Sequence, residues 1–154
     1  MIARSAARNG VADRLAVHGY CTTATLRARL EAATAPTLIV MDIEGGEVEL
    51  LDLEANPRLA HADILVETHD AFVAHATETL VARFSATHEI DRYHAQPRTL
   101  DDFPVDFLPL FRRLFPRLAV DLLDERRTGV QQWLFLTAKR TASHPIGAEA
   151  AAGA

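Results

Sequence analysis

The chain has 154 residues, 49% of them apolar and 24% charged, and a net charge of −5. Such a length and composition suit a single α/β-sized soluble domain with a core of its own, and the acidic balance argues against a nucleic-acid surface, which needs clustered cations. A lone cysteine, Cys21, excludes an internal disulfide and a cysteine-built zinc site, and no apolar run approaches the roughly 20 residues of a membrane span.

Residues 1–9 read as a helix stopped by Gly10, with arginines but no apolar core of a signal peptide, so a cytoplasmic location is expected. Leu15 to Tyr20 reads as a short strand. Thr22 or Thr23 then caps a helix with Leu26, Leu30 and Ala33 on one face. Pro36 precedes a strand over 37–42, whose unbroken Leu38-Ile-Val-Met41 run suits burial on both faces.

A helix over 45–55 follows, ended by Asn56-Pro57, and then a strand over 63–69. Residues 76–85 form a helix with Leu80, Val81 and Phe84 facing inward. Strands are expected at 88–94 and 131–138, the second from its Trp133-Leu-Phe-Leu136 run. Between them Phe107, Phe111, Leu114, Phe115 and Leu118 make a helical stripe that Pro116 kinks or splits, read as a cover packed on the sheet. Residues 1–140 are thus one domain, and 141–154 an alanine- and glycine-rich flexible tail.

Strands alternating with helices imply βαβ units and a mostly parallel sheet, with an antiparallel member near the C-terminus. Ligands of such sheets lie beyond the strands' C-terminal ends. Three strand ends deliver polar groups there: Gly19-Tyr20-Cys21, then Asp42 and Glu44, then Glu67, His69 and Asp70. A carboxylate beside an imidazole orients it as a base. The plainer readings are acids favoured by a helix N-terminus for Asp42, Glu44 and Glu47, and a backbone-satisfying loop histidine for His69. The other histidines, such as His18, His61, His75, His88 and His94, show no metal-ligand spacing. Asp42, Glu67 and His69 together also suit a divalent cation such as Mg²⁺ or Mn²⁺.

The succession Leu38-Ile-Val-Met-Asp-Ile-Glu-Gly-Gly-Glu47, Ile64-Leu-Val-Glu-Thr-His-Asp70 and Gln132-Trp-Leu-Phe-Leu136 resembles the FkbM-type family of S-adenosylmethionine-dependent methyltransferases, in which an Asp-x-Glu-Gly strand end is followed by a Glu-x-His strand end. The resemblance implies a class I methyltransferase (Rossmann-like) sheet and methyl transfer to a hydroxyl of a small molecule or sugar. It implies that Asp42 and Glu44 line the crevice for S-adenosylmethionine, with Tyr20 near the adenine. Glu67 and His69 would face the acceptor, His69 removing its proton.

The family's glycine-rich loop and first two strands have no counterpart: before residue 45 the only glycines are Gly10 and Gly19. The chain is therefore expected to be a C-terminal portion that binds the methyl donor weakly and self-associates through an exposed sheet edge. The alternatives are a non-catalytic remnant or interaction module of the same fold, and a divalent-metal enzyme.

Overall fold

The computed structural model describes residues 1–124 and 131–140, so the expected tail over 141–154 lies outside the described residues. The architecture is α/β, built on a four-stranded mixed sheet in the order β1-β2-β4-β3. The strands are β1 (Leu38–Met41), β2 (Asp63–Thr68), β3 (His88–His94) and β4 (Gln132–Ala138). β1 and β2 pair in parallel, Met41 opposite Val66, while β4 runs antiparallel to both β2 and β3.

The antiparallel C-terminal strand and the common direction of the other three agree with expectation, and the sheet is mixed. Three strands share one direction, yet β4 sits between two of them and leaves a single parallel ladder. The C-terminal ends of β1, β2 and β3 and the start of β4 consequently lie along one edge of the sheet.

Six α-helices accompany the sheet among the described residues: α1 (Ile2–Arg8), α2 (Thr23–Glu31), α3 (Glu47–Leu50), α4 (Ala76–Phe84), α5 (Pro109–Leu114) and α6 (Pro116–Asp121). α2 starts where the Thr22 hydroxyl accepts the Thr25 N–H at 3.1 Å, a side-chain cap of the usual kind. One face of the sheet carries Met41, Ile64, Val66, Leu134 and Leu136, which pack with Leu30, Leu50, Leu51, Leu59, Leu80 and Phe84. Burying such side chains stabilises by roughly 1.5–3 kcal/mol each.

The opposite face is uncovered at its β1 edge. Leu38 is 58% exposed and Val40 63%, which corrects the expectation of a strand buried on both faces. An unbroken apolar run fixes the strand; a neighbour on each side decides whether both faces are buried.

Three further expectations change. Leu15 to Tyr20 forms no strand: Leu15 and Val17 are exposed, and a lone extended segment without a ladder partner has nothing to hold its backbone groups. The helix expected over 45–55 shrinks to the single turn of α3. The Asp52 carboxylate accepts the Glu54 and Ala55 N–H groups at 2.8 and 3.3 Å, diverting backbone donors that a longer helix would use. Pro116 does split the later stripe into α5 and α6, but the stripe is not packed on the sheet. Phe107, Leu114, Phe115 and Leu118 remain exposed, and Phe111 instead meets Phe103 and Phe115 with centroids 6.3 and 5.7 Å apart.

Candidate functional site

The parallel register of β1 and β2 brings Asp42, one residue past β1, beside the end of β2, where Glu67 and His69 emerge. His69 Nε2 lies 3.8 Å from Asp42 Oδ1 and 3.9 Å from Glu67 Oε1. One ligand atom from each of the three residues falls within 4.8 Å of the others. These are the residues expected to be catalytic, and the fold does bring them together.

Their burial is graded. Glu67 is buried, the His69 side chain is 11% exposed, and the Asp42 side chain is 49% exposed. Solvent therefore reaches the cluster from the Asp42 side.

His69 is held from behind by Glu47, which the sequence offered only as an acid in a helix's first turn. Glu47 is wholly buried, and its Oε1 accepts the His69 Nδ1–H in a short hydrogen bond and the Gly45 N–H at 3.1 Å. With Nδ1 carrying the proton, Nε2 presents a lone pair. That atom is shielded from solvent and has no hydrogen-bond partner among the described residues. α3 is a single turn, so a helix dipole is a poor explanation for a fully buried Glu47.

The loop after β2 is fixed as well. The His69 carbonyl accepts N–H groups from Phe72 and Val73 at 2.9 and 3.0 Å, and the Phe72 ring lies 5.8 Å from the imidazole. Asp70 takes no part in the cluster; its carboxylate accepts the Thr77 N–H and hydroxyl, pinning the loop to α4. Gln131 Nε2 donates to Glu67 Oε1 at 3.1 Å, tying that carboxylate to the approach of β4. The two glycines have different tasks. Gly45 sits at φ +108, and a Cβ there would stand 3.2 Å from Phe72 Cβ, so a side chain would be strained and would crowd the loop carrying His69.

The residues expected on the methyl-donor side fare differently. Glu44 is exposed at φ +51 and stands outside the cluster, and Tyr20 is 93% exposed. Of the three, only Asp42 belongs to the crevice. A cavity of about 390 Å³ lined by Leu100, Pro116, Arg117, Val120 and Asp121 involves none of the clustered residues.

Chemically, two carboxylates and an imidazole nitrogen converge within 4.8 Å of one another, a set that can accept a hydroxyl or ammonium proton or bind a cation. Glu47, the first residue of α3, could have been suspected from sequence only by knowing that Gly45-Gly46 turns the chain back under β2. No family model, curated protein or solved structure matches the chain. Among the described residues no helix is long and apolar enough to cross a membrane.

Proposed function

We propose that this crevice is the acceptor side of an S-adenosylmethionine-dependent methyltransferase acting on a hydroxyl of a small molecule or sugar. The observation that carries the reading is the convergence of Asp42, from the Asp-x-Glu-Gly strand end, with Glu67 and His69, from the Glu-x-His strand end. The position of the antiparallel C-terminal strand beside β2 agrees with it. In this reading the acceptor hydroxyl docks against the three side chains and yields its proton to them, leaving an oxygen that is the better nucleophile. Positioned proton transfer of this kind contributes on the order of 10²–10⁴-fold.

The described residues do not make a cradle for the methyl donor. Tyr20 and Glu44 face solvent and the chain before residue 45 offers no Gly-x-Gly, so no step is assigned to donor-binding groups of this chain. Weak donor binding is the corresponding expectation. Incubation with methyl-labelled S-adenosylmethionine at millimolar concentration and a panel of sugars and small polyols tests the reading. Labelled methyl ether that disappears in Asp42→Asn and His69→Gln is the expected result. No labelled product at any acceptor, or product insensitive to both substitutions, would overturn it.

The place of β1 at the edge of the sheet, with Leu38 and Val40 exposed beside it, favours one second reading, an interaction module of the same fold that associates with itself through the β1 edge. It requires concentration-dependent dimers in sedimentation.

A further inference from the structure

The cluster has a feature that acceptor binding alone does not use. Three electron-pair donors of mixed type, one imidazole nitrogen and two carboxylate oxygens, stand at 3.8 and 3.9 Å from nitrogen to oxygen. Their spacing is close to that of ligands sharing one ion at roughly 2.0–2.6 Å. His69 Nε2 is the independent pointer: it is enclosed and unbonded, and aimed at both acids, while its proton is committed to Glu47 on the other ring nitrogen.

That last arrangement is the one metal-binding histidines use. The ring nitrogen away from the ion donates to a carboxylate, which fixes the tautomer and the ring's direction. Glu47, wholly buried and anchored by the Gly45 N–H, is placed for this task. The half-exposed Asp42 leaves the solvent side of the cluster open, so an ion there keeps coordination positions for water or a substrate oxygen.

We propose that Asp42 Oδ1, Glu67 Oε1 and His69 Nε2 form a divalent transition-metal site with open coordination positions, and that Glu47 is its positioning residue. The donor set selects the ion class. One imidazole with two carboxylates suits Mn²⁺ or Zn²⁺ better than Ca²⁺, which takes oxygen ligands, or a thiophilic ion. The site stands on this geometry. Its role rests on the methyl-transfer reading: with an ion bound, the acceptor hydroxyl would be held and polarised at an open position and its proton would pass to solvent, direct transfer to the three side chains belonging to the metal-free cluster.

The test needs no methyl donor, so its failure and the failure of that reading are separable. The full chain is freed of metal with a chelator and titrated with Mn²⁺, free ion being followed by electron paramagnetic resonance. One ion per chain is expected, with binding weakened at least tenfold in Asp42→Asn and about 10–100-fold in Glu47→Gln, the range seen when such supporting carboxylates are removed. Asp42 is half exposed, so its variant keeps the fold, which circular dichroism checks. No saturable Mn²⁺ binding up to millimolar, or binding that Asp42→Asn leaves unchanged, overturns the proposal.

Discussion

Replacing Glu47 by glutamine isolates what the buried carboxylate does for His69. The substitution keeps the shape of a side chain that is wholly buried, and its amide oxygen can still accept from His69 Nδ1 or from Gly45. What disappears is the charge. A hydrogen bond to a charged group contributes about 1.5–3 kcal/mol and a neutral one about 0.5–1.5 kcal/mol, so the preference for the proton on Nδ1 falls by about 1–1.5 kcal/mol. Since about 1.4 kcal/mol is a factor of ten, the ratio of the two imidazole tautomers shifts roughly tenfold toward Nε2–H. Fold stability falls as well, because the weakened bonds to His69 and Gly45 also hold the native state and the buried NH2 that replaces Oε2 gains no acceptor among the described residues. Nitrogen-15 spectra of the histidine ring report both tautomers directly, and urea unfolding reports stability. A wild-type His69 carrying its proton on Nε2, or a tautomer ratio unmoved by Glu47→Gln, refutes the reasoning.

Two predictions concern the fold that carries the site. His88 is buried, donates Nε2–H to the Ala62 carbonyl at 2.9 Å, and has its Nδ1 2.8 Å from the Thr87 hydroxyl; burial lowers its pKa below the ordinary 6.5, partly opposed by the bond to Ala62. The unfolded chain therefore binds the proton more readily, so this stability is intact above about 6.5 and drains away as the pH falls below it. The melting temperature should drop between pH 7 and 5, less steeply in His88→Gln; equal slopes would sink the assignment. Gly45→Ala should lose about 1–3 kcal/mol in urea, from its φ of +108 and the contact with Phe72 Cβ. Gly46→Ala should lose less, since its new Cβ meets only the far end of Ile43 at an ordinary φ; equal losses would count against the backbone argument.

β1, β2 and β4 were legible because their apolar runs are long enough to announce themselves, and Asp42 and Glu67 because each follows such a run directly, with His69 two residues further on. What sequence concealed depends on neighbours. Leu38-Ile-Val-Met41 reads the same whether one face is covered or two, and only the sheet order makes β1 an edge. Leu15 to Tyr20 has strand composition but no ladder to join. Asp52 looks like an ordinary helical residue until its side chain takes two backbone donors. Glu47 was the largest omission. Its partner lies 22 positions along the chain, and nothing in the periodicity of either segment says that a carboxylate from one will sit behind an imidazole from the other.

The graded burial of the cluster separates two kinds of damage. Glu67 and Glu47 are embedded in the packing, so altering them disturbs the architecture along with the chemistry. Asp42 touches solvent over half its side chain, and a change there leaves the architecture nearly intact while emptying the cluster of one of its two acids. A substitution at Asp42 can thus take a ligand or proton acceptor from the cluster while leaving a fold that no measure of shape would tell from the original.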